Sequence, residues 1–177
     1  MSRRITNILF YVIAGFYVFF MLDLFFRFDR IFDMNRMIIR SYNLIPFKTI
    51  WEYATGSEHA LKAFAAGNIF GNIIVFIPYG LYLQVIKKHK AFIKSLLIVL
   101  ITTAAIELIQ FTFGLGALDI DDVLLNCVGG IIGILGYKFL LKLLKKENRT
   151  RLVITILSLV IGIPVIYLLL FRLHFSL

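Results

Sequence analysis

Apolar residues gather in this chain into five long runs, and polar side chains cluster at the ends of those runs. The runs cover residues 5–26, 64–86, 92–113, 123–144 and 152–171. Each has about the 20 residues that an α-helix needs to cross the roughly 30 Å hydrocarbon layer of a bilayer. Lipid satisfies no backbone donor or acceptor, so segments of this kind close their hydrogen bonds internally as helices. The pattern predicts an all-α, polytopic transmembrane helix bundle with about five spanning helices, forming a single membrane domain over residues 1–177.

Composition agrees: the chain is 60% hydrophobic with a mean hydropathy of +0.91, too apolar for a domain with a polar surface. The first run follows Arg3 and Arg4, as a signal peptide would. It exceeds the usual core of about 7–15 residues, and no small-x-small cleavage site precedes Asp23, so it is expected to remain as a helix. The single cysteine, Cys127, has no partner for an internal disulfide and reads as packing volume.

The connection over residues 27–63 is the longest. Its first part, RFDRIFDMNRMIIR, reads either as an interfacial amphipathic helix on the outer leaflet or as a solvated helix packed on the bundle. In NLIPFKTIWEY, Pro46 disfavours helix at Ile45, and Trp51 and Tyr53 suit a headgroup belt, which predicts a turn or re-entrant segment. Ser57 is placed to cap a short helix that runs on into the second span. Pro78 and Pro164 are expected to kink the second and fifth helices. In the fourth run, Gly129 and Gly133 stand four apart, a spacing that lets helices approach closely in lipid. The partner is either another helix of the chain or a second protomer, which leaves an oligomer open.

Charge orients the spans. The net charge of +9 falls mainly at alternate ends: Arg3 and Arg4; Lys87, Lys88, Lys90 and Lys94; then Lys138, Lys142, Lys145, Lys146, Arg149 and Arg151. By the positive-inside bias the N-terminus is cytoplasmic, and five crossings put the C-terminus outside. These charges flank apolar spans without interleaved aromatic patches, so they indicate membrane lipids as partners and no nucleic acid.

With that orientation, three polar pairs lie at one outer depth: Asn68 with Asn72, Glu107 with Gln110, and Asp122 with Asn126. Spacings of three or four put each pair on one helix face. Asp119 and Asp121 adjoin the third pair. The plain alternatives are that one of the aspartates caps the fourth helix and that the amides glue helices together. A carboxyl within a span costs on the order of 3 kcal/mol, which favours a functional layer.

Glu107, Asp119, Asp121 and Asp122 are also the candidates for a hard-cation site, although DIDD departs from a calcium-loop pattern and no particular cofactor is indicated. His59, His89 and His174 are scattered and no Gly-x-Ser-x-Gly elbow surrounds Ser57, so no enzyme is expected. The rival reading is a membrane-embedded enzyme acting on lipid-linked envelope substrates, with Glu107 or Asp122 as general base. Little charge lies in the inner halves of the spans and no polar chain continues inward from Glu107, which predicts a one-sided pocket and not a pore. Asn68, Asn72, Gln110 and Asn126 would orient a ligand there, and Arg36 or Lys48 would meet a phosphate.

Four segments together resemble the VanZ-like membrane proteins: NLIPFKTI at 43–50, GNIFGNIIVFIPYG at 67–80, ELIQ at 107–110 and LDIDDVLLNCVGGIIG at 118–133. The resemblance covers about residues 36–137. Matching positions include Arg36, Asn43, Pro46, Phe47, Asn68, Asn72, Glu107, Gln110, Asp119, Asp121, Asp122 and Asn126. It implies a small polytopic bacterial membrane protein, and the family's namesake is associated with low-level resistance to teicoplanin-type glycopeptides. Many members carry an arginine just before the DIDD-type motif, where this chain has Gly116, Ala117 and Leu118. Charge balance then falls to Arg36 or Lys48, to shared protons, or to a bound cation. The ligand so implied is an envelope molecule: a lipid-linked cell-wall precursor, a phospholipid headgroup or a glycopeptide.

Overall fold

The computed structural model describes residues 3–28, 40–55, 59–86 and 92–175, with side chains described throughout except at 53–54, 59–65 and 164–175. Within them lie helices α1 (Arg3–Phe26), α2 (Lys48–Thr55), α3 (His59–Ile86), α4 (Phe92–Phe113), α5 (Ile120–Leu144) and α6 (Glu147–Phe175). Two short strands, β1 (Tyr42–Asn43) and β2 (Leu118–Asp119), pair in parallel, Tyr42 opposite Leu118 and Asn43 opposite Asp119.

The all-α polytopic architecture is the expected one. Among the described residues four helices are long and apolar enough to cross a membrane: Arg3–Phe26, Ala66–Ile86, Phe92–Phe113 and Ile120–Leu144. The fifth predicted run falls inside α6, whose later side chains lie outside the described residues. Helix α4 is sided in the sense a bilayer demands: Ile93, Leu97, Ile101 and Leu108 are exposed, while Ser95, Thr103 and Glu107 are buried. Lipid solvates the apolar face, and polar side chains turn inward to find partners.

Some boundaries shift. Helix α3 begins at His59 and continues through Pro78 as one helix. Helix α5 opens at Ile120, earlier than the apolar run, because the preceding Asp119 caps it. The expected turn is present around Pro46, and residues 48–55 are a helix. The predicted amphipathic helix and Arg36 lie largely within residues 29–39, outside the described residues, as does Ser57.

The chain forms two compact units, residues 1–19 with 139–177, and residues 20–138. In the first, the Arg151 guanidinium on α6 donates to Asn7 Oδ1 on α1 and stands 5.8 Å over the Phe10 ring. The buried Thr150 and Thr155 hydroxyls donate to the carbonyls four residues back, Lys146 and Arg151, at 3.1 and 2.8 Å, so neither is left without an acceptor.

In the second unit, α5 packs backbone to backbone on α3. A Cβ at Gly129 would overlap the Ile73 carbonyl oxygen, one at Gly133 the Ile77 carbonyl oxygen, and one at Gly80 the Gly130 carbonyl oxygen. The glycine face is therefore filled within the chain. The alternative of a protomer interface through Gly129 and Gly133 has no room there, because both are buried under α3.

Candidate functional site

Helix α4 closes on Gly114 in the left-handed conformation (φ 62°), with Leu115 N donating to the Gln110 carbonyl at 2.8 Å. The chain then turns into β2 beside β1, which sets Asp119 at the head of α5. There Asp119 acts as an N-cap, Oδ1 accepting Asp121 N at 2.9 Å. The same carboxylate takes Asn43 Nδ2 at 3.2 Å and Thr49 Oγ1 at 2.6 Å. Asn43 Nδ2 also donates to Thr49 Oγ1 at 2.8 Å. The Asp119 N–H in turn donates to Glu107 Oε2 at 3.0 Å.

Asp121 caps a different helix. It accepts Phe47 N at 2.5 Å and Ile50 N at 3.2 Å, placing a carboxylate on the positive end of α2. Phe47 is held at φ 65°, a left-handed conformation uncommon for a bulky residue, and its bond to Asp121 secures it. Asn43, Thr49, Asp119 and Asp121 thus form a clasp that fastens segment 42–50 to the start of α5.

The remaining polar residues of the layer line a cavity of about 280 Å³. Asn68 and Asn72 come from α3, Glu107 and Gln110 from α4, and Asp122 from α5. Leu24 and Phe25 of α1 supply an apolar edge, and Gly67 and Gly71 a bare helix face. A Cβ at either glycine would meet nothing within 4 Å. Asn72 Nδ2 donates to Asp122 Oδ1 at 2.6 Å, and Gln110 Nε2 to the Phe25 carbonyl at 2.9 Å. Among the described residues, Glu107 Oε1, Asp122 Oδ2 and the Asn68 amide have no hydrogen-bond partner. Among the described residues the lining holds two carboxyl groups and three carboxamides, and no basic side chain.

Below the cavity, polar pairs continue where the sequence reading expects none. Asn126 Nδ2 donates to Thr103 Oγ1 at 2.8 Å, both fully buried, with Asn126 Oδ1 left unpartnered. The Tyr79 hydroxyl meets Thr102 Oγ1 at 2.7 Å, and Gln84 Nε2 donates to Ser95 Oγ at 2.7 Å. The expectation of no inward polar chain is corrected on this point. It counted charges, and uncharged hydroxyls and amides carry these contacts.

The profile of the VanZ/LLP1 family matches residues 8–145. The chain belongs to the VanZ/LLP1 family. It is 34% identical over 128 residues to Protein VanZ of Enterococcus faecium, an overlap covering 72% of this chain and 71% of that protein. No solved structure matches the chain.

In this VanZ/LLP1 member the eleven sequence-predicted positions divide by partner. Asn68, Asn72, Glu107, Gln110 and Asp122 come together on the cavity. Asn43, Asp119 and Asp121 belong to the clasp, and Asn126 lies beneath, bound to Thr103. Lys48 is exposed, 3.8 Å from Glu52 on the same helix, and is not part of the lining. Arg36 lies outside the described residues. The four candidate metal ligands do not converge: no group of three or more His, Cys, Asp or Glu residues among those described is disposed to hold a metal ion. The Asp119 and Asp121 oxygens are occupied by N–H and hydroxyl donors instead. Sequence reasoning missed Thr49 and Thr103. Thr103 was accessible from spacing, since it stands four residues before Glu107 on the same face of α4.

Proposed function

We propose that the chain is a VanZ-family protein of the bacterial plasma membrane whose cavity binds the ammonium-bearing headgroup of a cell-envelope molecule. The observation that carries the reading is the mismatch at the cavity wall. Among the described residues, Glu107 Oε1, Asp122 Oδ2 and the Asn68 amide are unpartnered, and the lining holds no cation to balance its two carboxyl groups. In a low-dielectric setting such carboxyls favour a cationic hydrogen-bond donor. A phosphate in the same place would face two carboxyl groups with no arginine or lysine among the described lining residues to offset them.

Size narrows the choice. At about 280 Å³ the cavity sits near the roughly 300 Å³ at which small-molecule sites begin, so it suits a headgroup or terminal amine and not a whole glycopeptide. Among the described residues the lining offers no Ser, Thr, Cys, His or Lys nucleophile, which favours binding over covalent catalysis. By charge bias the N-terminus is cytoplasmic, the C-terminus extracellular, and the cavity opens toward the outer side. A protein that sequesters or presents an envelope headgroup there would alter how glycopeptides of the teicoplanin type meet their target.

The trial is teicoplanin susceptibility of cells expressing the chain, beside Glu107→Gln, Asp122→Asn and Gly71→Leu. Gly71→Leu fills the cavity from a position where a Cβ meets nothing, so it blocks by shape without disturbing packing. All three are expected to return tolerance to that of cells lacking the protein, at unchanged membrane abundance. Wild-type tolerance in Glu107→Gln and Gly71→Leu together would refute the cavity as the site.

A further inference from the structure

The unit formed by residues 1–19 and 139–177 carries a second concentration of charge, unrelated to the cavity. Helix α5 ends at Leu144, Lys145 takes a left-handed conformation (φ 55°), and α6 starts at Glu147. This tight reversal leaves Lys142, Lys145, Lys146 and Arg149 exposed around one turn. Arg151, bound to Asn7 and stacked on Phe10, holds the first turns of α6 against the first turns of α1. Asn7 follows Arg3 and Arg4 by one helical turn, as Arg151 follows Glu147, so the two helices begin side by side. Arg3 and Arg4, also exposed, therefore join the same end. Six exposed cations stand there, and Glu147 is the one acidic residue in segment 139–151.

One layer further along the helices the surface is apolar. Ile8 on α1 is exposed, as are Phe139 and Leu143 on α5. Cations above an exposed apolar wall match a phospholipid, with its phosphodiester at the charges and its acyl chains along the wall. A nucleic acid or an acidic protein would use the charges and leave the wall unexplained.

We propose that the α5–α6 turn and the first turn of α1 form a binding site for the headgroup of an anionic phospholipid. Lys145, Lys146 and Arg149 contact the phosphodiester. Arg151 acts as a positioning residue that keeps α1 in place, so a bound lipid bridges α1 and α6.

The experiment titrates the full-length protein in detergent with dioctanoyl phosphatidylglycerol and, separately, with dioctanoyl phosphatidylcholine, reading bound lipid by native mass spectrometry. Phosphatidylglycerol is expected to bind more tightly, and each exposed charge neutralised among Lys145→Gln, Lys146→Gln and Arg149→Gln to weaken it about fivefold. Glu107→Gln is expected to bind it as wild type does, which separates this site from the cavity. Equal binding of the two lipids, or an unaltered affinity in the triple variant, would overturn the proposal. So would full competition by sn-glycerol 3-phosphate, which would mark a free-phosphate site. If the triple variant does not accumulate, the pair Arg3→Gln and Arg4→Gln on α1 serves in its place, expected to weaken binding and refuting the proposal if it does not.

Discussion

Asp121→Ala is expected to lower stability by about 2–3 kcal/mol and to free segment 42–55. The residue accepts two backbone N–H groups, Phe47 N and Ile50 N, and a hydrogen bond to a charged group contributes about 1.5–3 kcal/mol. Against that sum, Phe47 would relax from φ 65°, recovering about 1–2 kcal/mol of backbone strain, so the net loss is smaller than the two bonds together. Asp121→Asn keeps one acceptor oxygen and should show roughly half the effect. Trp51, the chain's single tryptophan, sits one turn into α2 with its backbone N–H on the Phe47 carbonyl at 2.8 Å. Its fluorescence anisotropy should fall in Asp121→Ala before global unfolding begins. A variant with unchanged thermal midpoint and unchanged anisotropy would show that the clasp contributes nothing.

Gly133→Leu is expected to be costlier, at about 3 kcal/mol or more, the upper end of what overpacking produces. The first added carbon already overlaps the Ile77 carbonyl oxygen and lies 2.9 Å from Leu81 N and 3.0 Å from Gly80 Cα. These are backbone atoms, which cannot rotate away as a side chain would, so α5 and α3 must separate. Asn72 and Asp122, bonded across the same pair of helices, would separate with them. The control is Gly15→Ala on α1, where a Cβ meets nothing within 4 Å and stability should stay level or rise slightly. Thermal unfolding in detergent reads both. Equal midpoints for Gly133→Leu and Gly15→Ala would contradict the close packing.

Both variants bear on what the sequence could reveal. Spans were readable because lipid forces one solution on a long apolar run, and the shared depth of Asn72, Glu107 and Asp122 followed from spacing and turn direction. The division of labour among the aspartates was not readable. Asp119, Asp121 and Asp122 sit within four residues, yet one caps its own helix, one caps α2 and one faces the cavity. What separates them is the position of segment 42–50, fixed by contacts 70 or more residues away in the chain. Helix periodicity carries no information about such a partner. Lys48 illustrates the same limit, since its charge suggested a phosphate ligand and its place on α2 turns it toward Glu52.

The pairing of Asn43 with Asp119 also imposes a rule of length. Side chains alternate along a strand, so adding or removing one residue between Gly114 and Ala117 would bring Leu118 or Ile120 opposite Asn43. That change would withdraw the acceptor for Asn43 and Thr49 in a single step. Evolution can recolour this short connection freely, but it cannot easily lengthen it. Related chains should therefore accept substitutions at Leu115 through Ala117 while keeping the count of residues between α4 and α5 constant.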